Sequence, residues 1–173
     1  APSSVRIAWS RPSTAALGRI GPHQKTLQEP SPLDSFSPAR KERARAWFEH
    51  LRDQTLQRIR GAVQLSEAAE ADLIIEAAPE VLEIKREILR EVESLAQRPF
   101  IFASNTSSLS ITEIARGARY PERIVGMHFF NPVHIMRLLE VVVGQETSEE
   151  TVHAVQEVGR KLKKEPITVK DVP

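Results

Sequence analysis

The sequence contains no cysteine at any of its 173 positions. This absence excludes disulfide cross-links, thiolate metal ligands and a cysteine nucleophile. The sequence also lacks any apolar run near the roughly 20 residues that a membrane-spanning helix needs. No stretch near the first residue has the pattern of a secretory signal peptide. The sequence therefore predicts a soluble, cytoplasmic protein without a membrane partner.

The chain also lacks an excess of charge of either sign. Its 24 Lys and Arg residues almost balance its 23 Asp and Glu residues, and the formal net charge is +1. Proteins that bind nucleic acid usually present concentrated basic charge. The balance gives no support for a nucleic-acid partner. The length suits one domain with a substantial buried core.

The chain changes character near residue 38. Six of its 12 prolines lie in residues 1–38, where no apolar periodicity persists, so this stretch is predicted to be irregular and remains unassigned. Residues 39–173 show regular patterns. A charged amphipathic helix is predicted over residues 39–59. Its apolar side is predicted to consist of Ala44, Trp47, Phe48, Leu51 and Leu56.

Short apolar runs alternate with helical patterns through the rest of the chain. Strands are predicted over residues 72–78, 99–104, 123–128, 138–143 and from 167. Helices are predicted over 79–97 and 111–115, and a further helix is predicted to be capped by Ser148. Ser110 followed by Glu113 is a capping-box signature for the short helix. Buried strands that alternate with helices predict an α/β layered domain with a mainly parallel sheet.

Polar residues stand at the ends of three predicted strands, in residues 76–80, 104–108 and 128–131. Ligands bind at the carboxyl ends of the strands in such sheets. His128 is a candidate general base, because histidine exchanges protons near neutral pH. Glu140 interrupts the apolar run 138–143, where an unpaired carboxylate costs free energy. Glu140 is therefore a candidate partner for His128.

Structural interpretations of the same residues remain open. His128 could be a structural or surface histidine, Glu140 could face solvent from an edge strand, and Ser107 could only cap its turn. The residue chemistry favours an enzyme that handles a hydroxyl group without excluding these roles. The other histidines show no metal-ligand spacing and are interpreted as surface residues: His23, His50, His134 and His153.

Three segments carry a resemblance to a known family. They read ADLIIEAAPEVLEIKREIL, FASNTSSLSITEIA and PERIVGMHFFNPVHIMRLLEVVVG, and KDVP closes the chain. In order and spacing they resemble the L-3-hydroxyacyl-CoA dehydrogenase family over residues 40–173. The resemblance implies a Rossmann-like NAD-binding domain in residues 39–173. It also implies NAD-dependent oxidation of an L-3-hydroxyacyl-CoA to a 3-oxoacyl-CoA, in fatty-acid β-oxidation or 3-hydroxybutyryl-CoA metabolism.

The resemblance implies roles for individual residues. His128 would be the general base and Glu140 its orienting carboxylate. Ser107 would bond the substrate oxygen and lie close to the nicotinamide, and Asn131 would position the nicotinamide side of the site. It implies that Glu80 and Lys85 contact the cofactor. It also implies that Asn105 shapes the turn and the ribose or substrate edge of the site.

Two parts of the family pattern are not recognisable in this chain. The family begins with a strand and a G-x-G-x-x-G turn, whose amides bind the pyrophosphate. The nearest string, ALGRIG at residues 16–21, lacks the first glycine and precedes Pro22, and Asp34 is a weak candidate for the ribose-binding acid. The helical domain through which the family dimerises is also not recognisable in these residues and is expected to be absent. The domain is therefore expected to be incomplete at its N-terminal part. The alternative prediction is a non-catalytic folded fragment or binding module with impaired cofactor binding.

Overall fold

The computed structural model of the chain describes residues 37–171 and the backbone of residues 5–8. The described residues fall into two compact units. One contains helix α1 (Pro38–Leu56), and the other contains residues 62–171 together with strand β1 (Val5–Ala8).

Helix α1 lies within three residues of its predicted bounds at each end. The rings of Trp47 and Phe48 meet edge to face, with centroids 5.1 Å apart. Both side chains are 58% exposed, and no residue of the helix is buried. The helix is thus confirmed, whereas its predicted apolar side is exposed. Neither this helix nor any other in the described part of the chain is long and apolar enough to cross a membrane.

Six strands form one sheet, and their order in space is their order in the chain. After β1 they are β2 (Leu73–Glu76), β3 (Ile101–Ser104), β4 (Ile124–Phe129), β5 (Leu138–Val143) and β6 (Glu165–Lys170). All neighbours are parallel except β4 and β5. The prediction of a mainly parallel sheet is confirmed. Because β5 runs against β4, its first residues lie beside the last residues of β4.

Strand β1 lies in the stretch that was predicted to be irregular, so that prediction is wrong for residues 5–8. The strand pairs in parallel with β2, with Val5 beside Leu73 and Ala8 beside Glu76. Four residues are too few to show a strand periodicity, and the pairing that holds them extended is a long-range contact. The string at residues 16–21 and Asp34 lie outside the described residues.

Helices pack on both faces of the sheet, because alternate residues of each strand point to opposite sides. Helices α3 (Leu82–Leu95) and α4 (Ile111–Ala115), with the short α2 (Leu65–Ala68), pack on one face, and α5 (Glu149–Lys161) packs on the other. The core on the α3 side includes Ile74, Leu89, Val92, Phe102, Ile111 and Ile124. The core on the α5 side includes Ile75, Ala103, Val125, Met127, Leu139 and Val155.

The starts of the predicted helices follow the predictions with one exception, and the short helix α2 was not predicted. Ser110 accepts a hydrogen bond from the amide of Glu113, and Ser148 accepts one from the amide of Thr151. Both caps are therefore confirmed. The helix that was predicted to start at Pro79 begins instead at Leu82, because residues 79–81 form a turn. That turn places Glu80 at the edge of the sheet.

Candidate active site

His128 and Glu140 form a pair across strands β4 and β5. They lie directly opposite each other in the register, and Nδ1 of His128 is 2.8 Å from Oε2 of Glu140. The two side chains are 18% and 28% exposed. The predicted hydrogen bond is thus present. Glu140 is a paired, half-buried carboxylate rather than a solvent-facing one.

The pairing decides which imidazole nitrogen remains available. An ionised carboxylate can only accept hydrogen bonds, so Nδ1 of His128 donates its hydrogen to Glu140 and the neutral ring keeps a lone pair on Nε2. No described residue hydrogen-bonds Nε2. The ring of Phe130 packs on the imidazole, with centroids 4.5 Å apart. This arrangement allows Nε2 to take up a proton while Glu140 stabilises the resulting imidazolium.

The turn after β3 is attached to the end of β4 through Asn105. Its side-chain oxygen accepts a hydrogen bond of 2.8 Å from the amide of Phe129, next to His128. The backbone N–H of Asn105 donates to the backbone carbonyl oxygen of Glu76 at 2.7 Å. Asn105 therefore fixes the position of the turn, in agreement with the prediction that it shapes this segment.

Glu80 holds the turn from the other side. Its Oε1 accepts hydrogen bonds from the amides of Ser107 and Ser108, at 2.8 and 3.1 Å, and from the hydroxyl of Thr106. Thr106 also accepts a bond of 2.9 Å from the amide of Leu109. The buried Thr106 therefore caps the turn. Ser107 is exposed, and its hydroxyl lies 3.4 Å from Glu80.

These contacts keep the Glu80 carboxylate ionised. Partial burial alone would raise the pKa of Glu80, but donors from Thr106, Ser107 and Ser108 and the charge of Lys85 lower it to about 2. A carboxylate that accepts several hydrogen bonds is stabilised in its charged form. Glu80 is therefore a permanent acceptor at the edge of the sheet in neutral solution.

A fully buried ion pair lies behind this edge. The ammonium of Lys85, on α3, is 2.9 and 3.1 Å from the two carboxylate oxygens of Glu76, and both side chains are shielded from solvent. Lys85 also donates to the carbonyl of Ala78 at 3.2 Å and lies 3.5 Å from Glu80. The hydroxyl of Ser104 donates to Glu76 at 2.6 Å. Lys85, predicted as a cofactor contact, thus has no exposed surface in this structure.

Asn131 is the predicted site residue that the structure does not join to the others. It follows β4 in an exposed segment, and within residues 37–171 its side chain makes no hydrogen bond. Asn131 therefore plays no part in the contacts that place the turn with Ser107 next to His128 and Glu140.

Glu76 and Ser104 were not predicted as site residues. A signal for Glu76 was available, since it interrupts the apolar sequence 72–78 as Glu140 interrupts the apolar sequence 138–143. Ser104 precedes the predicted turn and is buried at the end of β3. Both residues lie on the α3 side of the sheet, two positions beyond Ile74 and Phe102.

Comparisons with known proteins identify the family and the fold of the chain. A family model described as "3-hydroxyacyl-CoA dehydrogenase, NAD binding domain" matches residues 25–172. The fatty acid oxidation complex subunit alpha of Psychrobacter arcticus is 46% identical over 120 residues, which are 69% of this chain and 17% of that protein. The chain therefore spans about a sixth of the length of this curated relative.

Two solved structures are similar in fold and in sequence. The 3-hydroxybutyryl-CoA dehydrogenase of Escherichia coli superposes with a TM-score of 0.68 at 38% identity, over 70% of this chain and 26% of that chain. The (S)-3-hydroxybutyryl-CoA dehydrogenase of Ralstonia eutropha gives a TM-score of 0.65 at 42% identity, over 68% of this chain and 42% of that chain. The chain belongs to the family of 3-hydroxyacyl-CoA dehydrogenase NAD-binding domains.

Proposed function

We propose that this chain is the NAD-binding part of an enzyme that oxidises the 3-hydroxyl group of an L-3-hydroxyacyl-CoA to a ketone. The observation that carries the proposal is the hydrogen bond between His128 and Glu140, which leaves Nε2 of the imidazole available at the carboxyl edge of the sheet. The relatives named for fatty acid oxidation and for 3-hydroxybutyryl-CoA support the substrate class.

In this proposal His128 acts as the general base. Its Nε2 takes the proton of the 3-hydroxyl group as the C3–O bond becomes a carbonyl, and Glu140 stabilises the imidazolium through Nδ1. The exposed hydroxyl of Ser107 bonds the substrate oxygen. NAD, held beside Glu80 and Ser107, would supply the hydride acceptor that the oxidation at C3 needs. The proton and the hydride thus leave the substrate separately, which balances its two-electron oxidation.

The donors and acceptors at the edge of the sheet fit a dinucleotide. The Glu80 carboxylate is 36% exposed and ionised, so it can accept hydrogen bonds from ribose hydroxyls. Ser107 and Asn131 are exposed in the turns that follow β3 and β4, and Asn131 remains the proposed contact on the nicotinamide side. Lys85 lies on the cofactor side of the site but acts through Glu80, because its own side chain is buried.

The test of the proposed base compares two histidine variants in NAD-dependent oxidation of L-3-hydroxybutyryl-CoA. His128→Gln should lower turnover by roughly 10²–10⁴-fold, the usual contribution of a general base, and leave NADH affinity almost unchanged. His153→Gln, on an exposed position of α5, is the matched control and should keep full turnover. Equal turnover of His128→Gln and wild type would return His128 to a structural role.

A second candidate function is a folded binding module without catalysis, and the absence of a G-x-G-x-x-G turn favours it. We expect this chain to bind NADH more weakly than relatives that carry the complete turn. Fluorescence titration measures this affinity. A dissociation constant below about 10 µM, or about −7 kcal/mol, would contradict the expectation and count against the binding-module alternative. A cytoplasmic location and dimerisation of the whole protein stay predictions.

A further inference from the structure

Glu76 stands at the centre of a chain of polar contacts that ends at the proposed cofactor site. One of its oxygens accepts from Lys85 at 2.9 Å, and Lys85 lies 3.5 Å from Glu80. Glu80 in turn accepts the amides of Ser107 and Ser108. Each of these contacts involves a charged group. A displacement of the buried Glu76 carboxylate would therefore also displace the exposed turn.

Glu76 also holds the turn from its other end. Its second oxygen accepts the hydroxyl of Ser104, the last residue of β3, at 2.6 Å. Its first oxygen accepts the amide of Ala78, at the start of the segment that leads to Glu80. One carboxylate therefore fixes the last residue before the turn at 105–108 and the segment that carries the acceptor of that turn.

Stability alone does not account for such a group. Removing two charges from water is costly, and a buried ion pair can often be replaced by apolar side chains without loss of stability. The neighbouring positions on the same face, Ile74 and Phe102, are apolar and well packed. The buried charges of Glu76 and Lys85 lie instead at the carboxyl edge of the sheet, next to the proposed site.

We propose that Glu76 is a positioning residue for the cofactor side of the site. It orients Lys85 and Ser104 so that Glu80 and the amides of Ser107 and Ser108 keep a single arrangement before any ligand binds. The inference rests on the proposed function for the identity of the ligand, but the arrangement itself exists in the free chain.

The first experiment measures amide hydrogen exchange by NMR in the ligand-free chain. In Glu76→Gln, the link from Glu76 through Lys85 to Glu80 is broken and Glu80 is no longer held in one position, so exchange of the Ser107 and Ser108 amides should accelerate by about tenfold or more. Glu83→Gln removes an exposed carboxylate from the same helix as Lys85 and should leave these amides unchanged. Wild-type exchange at Ser107 and Ser108 in Glu76→Gln would overturn the proposal.

The double variant Glu76→Gln/Lys85→Met separates positioning from stability. The glutamine side chain keeps the shape of the carboxylate that it replaces, and methionine removes the cation that would otherwise be buried without a counter-charge. The melting temperature should therefore recover towards that of wild type, while fast exchange at Ser107 persists and NADH affinity stays about tenfold lower. Recovery of exchange protection and affinity together with the melting temperature would show a purely structural pair and overturn the proposal.

The two proposals can fail separately. If wild type binds no NADH at any concentration, the proposed function of the chain fails. The amide exchange of the ligand-free variants still decides whether Glu76 positions the turn, because that measurement needs no cofactor.

Discussion

Two pairs of a carboxylate and a basic side chain lie at the same edge of the sheet, and they differ in burial rather than in distance. His128 and Glu140 are 2.8 Å apart on β4 and β5, and Lys85 and Glu76 are 2.9 Å apart between α3 and β2. The first pair is 18% and 28% exposed, whereas the second is at most 1% exposed. A substrate can approach the first pair but not the second.

The difference in burial predicts different energetics. His128 and Glu140, the more exposed pair, remain in partial contact with water, which screens their charges and limits their contribution to stability. A fully buried charge that loses its partner has no such screening. The exposed pair is therefore suited to proton exchange during a reaction, and the buried pair is suited to holding groups in place.

The largest effect on stability is expected from breaking the buried pair. Lys85→Met leaves Glu76 as a buried carboxylate without a counter-charge, and we expect a loss of about 3–5 kcal/mol in the free energy of unfolding. Lys161→Met, at an exposed position of α5, should change it by less than about 0.5 kcal/mol. Urea unfolding measures both values. A loss below about 1 kcal/mol in Lys85→Met would show that the buried pair contributes no more to the free energy of unfolding than the exposed pair does.

An intermediate effect is expected from Glu80, which lies 3.5 Å from Lys85 and accepts the amides of Ser107 and Ser108. Its pKa is lowered to about 2 from 4.5, so its contribution to stability is complete above pH 4.5 and is lost as the pH falls through 2. After allowance for solvent screening, Glu80→Gln should cost roughly 1–2 kcal/mol near neutral pH. The difference between wild type and variant should shrink between pH 4.5 and 2 in acid unfolding. A difference independent of pH would assign the loss to packing.

The smallest effect on stability is expected from the exposed pair. Glu140→Gln removes the charge and keeps the shape, so the free energy of unfolding should change by less than about 1 kcal/mol. Turnover should nevertheless fall by up to the roughly 10²–10⁴-fold expected for loss of the base, because glutamine does not stabilise the imidazolium. Thermal unfolding and the oxidation assay give the two numbers. A large loss of stability with normal turnover would show that the pair of His128 and Glu140 is structural and does not take part in proton exchange.

The sequence predicted the exposed pair better than the buried one, for a physical reason. An acid within the apolar run 138–143 needs a partner, and His128 on the preceding strand could supply it. Glu76 is likewise an acid within an apolar sequence and so also predicts a partner. That partner, Lys85, belongs to an amphipathic helix, where lysine usually faces water. Patterns of polarity along one element do not show that a charge points inwards.

The remaining differences have related causes. Strand β1 is too short for a periodic signal and depends on its pairing with β2. The apolar residues of α1 predicted an amphipathic helix, but whether the apolar side of such a helix packs against a partner is a long-range property. The caps at Ser110 and Ser148 depend on contacts within three residues, and they were predicted correctly.

The strict alternation of the strands has a consequence for how the domain can change. Glu76, Ser104, His128 and Glu140 all project to the α3 side, and the core on the α5 side contains none of them. Substitutions among Val125, Met127 and Leu139 that keep the total volume can therefore adjust thermal tolerance without entering the polar groups of the site. The α5 side is therefore the face on which apolar substitutions stay away from the polar groups of the proposed site, which lie on the α3 side.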